Sequence, residues 1–366
     1  MAVEEPTKRV LEAGTRNEKW VFDLLNFGGS KIGSLVGVVG GEIKQSIHDR
    51  IRGGGSLTYT GEPEDWDRHM IRIWYVLVDE AGEEFGWPLL TAVPASQPDQ
   101  YSDGGHEVGL ELYDKLIILD QDLLPSSYAI SKGASVIDAV KDLVQGSADY
   151  DMTFVADSSS ETQRTERVFD PGTPRLTIIN ELLDSIGFMA LWCDGRGRFR
   201  ATRAVSARDR SVAWEFRDNE FGLYSPEFTR DKDSFEVPNR VVAFVEGDED
   251  NEGLMSVAED TDPDSPWSRP SRGRWVTREL DDTDASSQNV LDGKVQRALQ
   301  SGQSSQAKLS FTHDVLPLEL NNVVLFFNDA HDVEARATLE TVTTSIDFSG
   351  DSVQESEFRG VQGDVE

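Results

Sequence analysis

The sequence predicts an α+β protein that is mainly β. Three observations carry this reading. β-Branched and aromatic residues fall in short runs punctuated by 31 glycines. Between residues 123 and 215 the apolar spacing changes to a helical period. After residue 216 strand-like runs return. At 366 residues the chain is too long for a single ordinary core. It divides into a first β-rich domain over 1–122, a small α/β domain (helix plus hairpin) over 123–215, and a second β-rich domain over 216–366. The last carries an acidic hairpin and one helix.

In the first domain KWVFDLL, KIGSLVGVV, GEIKQSIHD and GSLTYTG are short runs cut by glycine. MIRIWYVLVDEAGEEFGWPLLTAV reads as a hairpin around AGEE, and HEVGLELYDKLIILDQD continues the strand pattern. Six or seven strands at this spacing predict a small barrel or sandwich.

In the central domain Val136, Ile137, Val140, Leu143 and Val144 form a helical stripe that stops at Gly146. A second helix follows, with Thr173 as cap, Pro174 in the first helical position and Gly187 at its end. Its buried stripe is Leu176, Ile179, Leu182, Leu183 and Ile186. FMALW-CDGRG-RFRA then predicts a hairpin with Asp-Gly in the turn.

The closing domain reads as strands at SVAWEF, NRVVAFVEG, GLMSVAED, GRWVTREL, AKLSFTHDV, NNVVLFFND and ARATLETVTTSIDFSG. One helix intervenes, SSQNVLDGKVQRALQSG, capped by Ser286 or Ser287 and weakened by Gly293.

Acids number 67 against 35 Lys+Arg, a formal charge of −32. They are spread along the chain, and only 10 of the cations are lysine. Such a Lys-poor acidic surface fits a halophilic protein; a GC-rich genome would also favour Arg over Lys. Either way it disfavours gripping bare nucleic acid, whose phosphates must be met by cations. The lone Cys193 excludes an intrachain disulfide and a Cys-based metal site. MAVEEPTKRV lacks the apolar core of a signal peptide, and IGSLVGVVGGEI is too short to span a bilayer. The chain reads as a soluble protein made in a cytoplasm.

DEDNEGLMSVAE nearly matches a calcium loop, with Asp248, Asp250, Glu252, Gly253 and Glu259 at positions 1, 3, 5, 6 and 12. Its context opposes this. RVVAFVEG before it is β-branched, and Pro263 and Pro266 after it forbid a helix. The segment therefore predicts a hairpin tipped by GDEDNEG. SPWSRPSRGRWVTR (265–278) is the one basic, aromatic stretch; its arginines are expected to pair with nearby acids or a partner chain, with nucleic-acid contact as the lesser alternative. The five histidines, His48, His69, His106, His313 and His331, show no metal-ligand spacing. No nucleophile elbow or phosphate-binding loop occurs. With so many acids, any carboxylate pair can be proposed for glycosidase chemistry, so none is informative. No catalytic, cofactor-binding or metal-ligating residue is assigned.

The order of elements resembles the trimeric tail hub, or baseplate hub, family of tailed phages and viruses. GLELYDKLIILDQDLLPSSYAISKGASVIDAVKDLV resembles its step from first barrel into a helix. PRLTIINELLDSIGFMALWCDGRGRFRAT resembles its central helix and hairpin, and NRVVAFVEGDEDNEGLMSVAEDTDPDSPWS its return to a second barrel. LELNNVVLFFND matches its closing element. The resemblance implies two tube-protein-like β-barrels flanking the α/β domain. Three chains would form a pseudo-sixfold ring that joins the six-fold tail tube to a three-fold tip and receptor-binding apparatus. Implied partners are further copies in a homotrimer, tail tube and distal tail proteins, a tape-measure protein, and spike or receptor-binding proteins. Genome DNA would pass through the bore without specific binding, and no membrane insertion is expected. The implied location is the virion tail tip, after assembly in the host cytoplasm. The family supplies no catalytic set and no cofactor. Some relatives carry a C-terminal hydrolase, for which this chain, ending at Glu366, is expected to have no room. Two other readings are a tail-associated cell-wall hydrolase and a calcium-binding surface β protein.

Overall fold

The computed structural model describes residues 5–12, 17–62, 64–96, 100–102, 105–219, 222–231, 235–247, 252–281, 284–304, 307–350 and 352–362. The chain is mainly β with few helices. Its opening region holds the strands Asn17–Asn26, Lys31–Ser34, Val38–Ser46, Gly53–Thr60, His69–Val78, Glu84–Ser96, Gln100–Ser102 and Gly105–Asp114. All pair antiparallel. The expected hairpin joins His69–Val78 to Glu84–Ser96. Asp79 closes its turn by accepting from the N–H groups of Ala81 and Glu83.

Two expectations change here. The KIGSLVGVV run is broken at Gly37, where φ is +77° and a Cβ would lie 2.2 Å from the Thr60 carbonyl oxygen. LIILDQ, read as strand, is the helix Leu116–Gln121. The Asp114 carboxylate accepts the Leu116 N–H and turns the chain, so Leu116 and Leu119 enter the central core.

That core lies between Leu116–Gln121, Val136–Gln145 and Arg175–Ser185. Ser135 caps the second helix by accepting from the Asp138 N–H, and Val136, Val140, Leu143 and Val144 are buried as their spacing predicts. The third helix corrects its expected start. Pro174 is the cap, Arg175 the first helical residue, and Thr173 donates back to the Asp170 carbonyl. Gly187, at φ +72°, ends this turn of chain. The expected hairpin pairs Trp192–Cys193 with Phe199–Ala201, and Phe154–Ala156 adds to it in parallel.

The closing strands Val212–Arg217, Tyr224–Asp231, Ala307–Asp314, Val323–Asn328, Val333–Ile346 and Val353–Gln362 belong to the same sheet as the opening ones. The long strand Val333–Ile346 makes the connection. Its first half pairs with Val323–Asn328, and its second half with Val38–Ser46, from Thr341 opposite Ser46 to Ile346 opposite Gly41. A register shift at Glu340 makes this possible. Val333, Ala335, Ala337 and Leu339 point inward before it; Val342, Thr344 and Ile346 do so after it. One extra residue flips the inward phase and redirects the strand from one β region to the other. A 14-stranded sheet results, with one shared core.

A separate small core lies outside this sheet. Arg240–Val245 pairs antiparallel with Leu254–Glu259 and parallel with Thr277–Leu280. The helix Gln288–Ser304 covers one face through Leu291, Val295 and Leu299. Ser287 caps it through the Val290 N–H, whereas Ser286 donates to Glu161.

Candidate functional site: the three-way junction and the acidic hairpin

The turn Cys193–Arg198 carries the α/β unit onto the opening sheet. Asp194 shapes it locally. Its buried carboxylate accepts from the backbone N–H groups of Arg196 and Arg198 and from Arg198 Nε at 2.7 Å. Thr91 Oγ1 then donates to the Gly195 carbonyl at 2.8 Å, and Arg72 donates to the Arg196 carbonyl at 2.9 Å. The Arg196 guanidinium stacks 5.4 Å over Trp74. A Cβ on Gly195 would sit 2.0 Å from the Pro88 carbonyl oxygen, so this approach requires glycine.

A cavity of about 350 Å³ lies beside this turn. Arg52, Asp114, Trp87, Cys193, Arg198 and Glu319 line it, so all three parts of the sequence meet there. Burial raises Asp114 to about 7; N–H donors from Leu116 and Gly53, and then Arg52, pull the other way. Burial pushes the Cys193 thiol well up and the Lys115 ammonium down. The ammonium lies 5.2 Å over the Phe199 ring. This chemistry suits fixing one orientation of three units. A high thiol pKa leaves little thiolate for nucleophilic attack. Sequence reading assigned none of these residues; the legible signal was the D-G-R-G turn, whose second face is a docking face.

The two strands expected to flank the acidic tip pair antiparallel, and among the described residues no helix directly adjoins them. Residues 248–251 of the expected tip, Asp248 and Asp250 included, lie outside the described residues. Glu259, the twelfth position of the calcium-loop pattern, is held by Arg240 at 2.8 Å. On the outer face of this sheet Phe244 stands opposite Met255, and both are about half exposed.

In the basic stretch 265–278 the arginines contact rings and carbonyls. Arg269 lies over Trp275, Arg272 over Trp267 and Arg274 over Phe235. Arg272 also donates to the carbonyls of Val237 and Phe235. Asn239, fully buried, ties this loop together by donating to the carbonyls of Trp267 and Arg274 and accepting from the Val276 N–H.

The histidines are scattered. His313 is buried among Phe216, Phe311 and Phe358, hydrogen-bonds Ser356 through Nε2, and is pushed down to about 4 by burial. His48 faces Glu340 at 3.4 Å and His69 faces Glu64 at 3.6 Å. Among the described residues no three His, Cys, Asp or Glu side chains are grouped to hold a metal ion. Among them, too, no helix is long and apolar enough to cross a membrane.

No family model and no curated protein matches the sequence. Solved structures do match the fold. A tail protein from Neisseria meningitidis superposes with a TM-score of 0.66 at 14% identity, covering 93% of this chain and 96% of that one. A prophage tail protein from Shewanella oneidensis gives 0.58 at 11% identity, covering 92% and 98%. An E. coli component of the type VI secretion system, described as similar in structure to T4 bacteriophage tail proteins, gives 0.52 at 11% identity, covering 93% and 77%. Across nearly its whole length, the chain has the fold of phage tail proteins and their type VI secretion counterparts.

Proposed function

We propose that this chain is a structural virion protein, the tail-tip or baseplate hub that joins a six-fold tail tube to a three-fold tip. Each β region serves as one tube-like barrel, with the α/β unit between them in sequence. Three chains close a ring of alternating β regions around a bore for DNA. Neighbours on the tube side are tail tube, distal tail and tape-measure proteins; those on the tip side are spike or receptor-binding proteins. The place of action is the virion tail tip, after assembly in the host cytoplasm.

The observation that supports this best is the Thr341–Ser46 pairing, which fuses two β regions edge to edge in one chain. A ring of alternating β regions needs such a side-by-side pair as its repeating unit. The whole-chain likeness to tail proteins supports it independently. The acidic surface suits a bore that must not hold phosphates.

The test is light scattering and negative-stain imaging of the purified chain, alone and with its tail tube protein. Three chain masses and a ring with a central hole are expected. A monomer in both conditions, without rings, overturns the proposal.

A further inference from the structure

Between the linker after the α/β unit, the helix Gln288–Ser304 and the closing sheet lies a second cavity of about 340 Å³. Its charged lining inverts that of the chain. Arg208, Arg210, Arg297, Arg336 and Arg359 line it against a single acid, Glu340. Over the whole chain acids outnumber cations 67 to 35, so this convergence is local and specific.

Glu340 offsets one of the five, Arg359, which binds it at 2.7 Å. Among the described residues Arg210 and Arg336 bond neutral groups. Arg210 donates to Thr338 Oγ1 and the Asn321 carbonyl, and its buried Nε has no hydrogen-bond partner. Arg336 donates to the carbonyls of Ala207 and Arg210. Arg297, half-buried, makes no hydrogen bond or ion pair among the described residues; its electrostatic neighbour Asp184 is held by Lys294 at 2.6 Å. Burial lowers the Arg210 and Arg297 pKa values, and the adjacent Arg336 lowers that of Arg210 further. Among the described residues, then, Arg210, Arg297 and Arg336 make no ion pair, and buried cations favour one. The rest of the lining mixes an apolar floor, Ile47, Met189, Val205 and Ala298, with the polar side chains of Ser206, Gln300 and Thr338. Val205 is 43% exposed.

We propose that this arginine-rimmed cleft docks an acidic peptide segment of a partner protein, with carboxylates on Arg297 and Arg210 and an aliphatic side chain on the apolar floor. Charge complementarity selects the carboxylates, since guanidinium binds them bidentately. The apolar floor selects a peptide over a sugar–phosphate chain, which offers no aliphatic anchor. Because the walls come from the linker, the helix and the sheet, an occupant would also clamp the small hairpin unit to the main sheet.

The experiment is fluorescence anisotropy with a labelled peptide alternating Glu and Leu, at about 0.1 M and 1 M KCl, where screening lengths are about 10 Å and 3 Å. Saturable binding that weakens with salt is expected. R297E should weaken it about tenfold, the equivalent of one charge-assisted hydrogen bond. R208E, on the rim, should weaken it without disturbing the fold, as an unchanged melting curve would show. Four results overturn the proposal: no saturable binding; equal binding of a Gln–Leu control; tighter binding of an oligonucleotide of equal charge; or displacement of the peptide by unlabelled copies of the chain itself, which would assign the cleft to a second copy.

Discussion

Glu340 faces Arg359 at 2.7 Å and His48 at 3.4 Å from the same carboxylate. It does so at the register shift where the long strand passes between β regions. Its side chain is only 12% exposed. The carboxylate thus ties both regions at the point where the strand changes direction. E340A should destabilise the protein by roughly 2 kcal/mol, because it removes a largely buried carboxylate that meets Arg359 and His48 from the two regions at once. The exposed Lys19–Glu84 pair has similar contact at 2.6 Å, yet E84A should cost under about 1 kcal/mol. Urea titration of both variants compares them, and equal effects would refute the special place given to Glu340.

Gly195 sets the docking of the α/β unit. G195A drives a methyl group to within 2.0 Å of a backbone oxygen, which cannot move as a flexible side-chain tip would. A loss of about 2–4 kcal/mol is expected, the usual range for overpacking a fixed site. R72A removes two hydrogen bonds of the same contact and should cost less. Limited proteolysis should then cut near residues 194–198 in G195A first. Protection equal to that of the parent chain would refute this docking role.

These contacts mark the boundary of what the sequence made legible. Local signals were clear where one segment buries its own stripe. The Val136–Val144 spacing and the Leu176–Ile186 spacing both located helices, although the Thr173 cap expected for the second proved to be Pro174. The closing strand Val353–Gln362 escaped because its inward face carries Gln354, Ser356 and Gly360 beside Phe358. Gln354 is satisfied by donating to Thr344 and accepting from the Leu316 N–H; Ser356 is satisfied by His313. A polar inward face defeats any apolar period. Tyr224–Asp231 lies at the end of the strand order and reads as irregular for the same want of alternation. Long-range register, such as Ser46 with Thr341, leaves no local trace at all. Neither does the convergence of arginines from positions 208 to 359.

His313 gives the first pH prediction. Its folded pKa, about 4, lies below its unfolded value of 6.5. Its contribution is therefore fully present above pH 6.5 and is lost as pH falls toward 4. A shift of that size corresponds to roughly 3 kcal/mol. H313Q keeps a hydrogen-bonding side chain without the titration. The stability difference between parent and variant should fall steadily from pH 7 to pH 4 in urea titrations. A difference independent of pH would refute it.

Asp114 acts with the opposite sign. Its folded pKa, about 7, lies above the ordinary 3.8. Its contribution is fully present below pH 3.8 and is lost as pH rises through 7. D114N should therefore gain relative to the parent chain as pH climbs from 4 to 8. Its absolute stability should still drop, because both Asp114 oxygens accept backbone N–H groups, from Gly53 and Leu116, and an amide has one acceptor oxygen. A constant offset across this range would show that Asp114 is already ionised in the acid range. Since His313 and Asp114 titrate in overlapping windows with opposite signs, the parent chain should look flatter in pH than either variant.

The last prediction concerns salt. Each chain carries −32, and a trimer triples that charge on one ring. Repulsion of this kind destabilises a compact assembly at low ionic strength. Screening shortens from about 10 Å at 0.1 M to about 3 Å at 1 M salt, which removes most repulsion between neighbouring surface acids. The few cations add little relief. Lys19, Lys31, Lys294 and Lys308 are each already committed to one acid within 2.6 Å. Melting temperature and oligomer fraction should therefore both rise through a KCl series from 0.1 M to 2 M, tested by calorimetry and sedimentation. The exposed pairs weaken in the same series, but each contributes under about 1 kcal/mol, so relief of repulsion decides the sign. Equal stability at both ends would remove the halophilic reading of the composition and leave the Arg-over-Lys bias to a GC-rich genome.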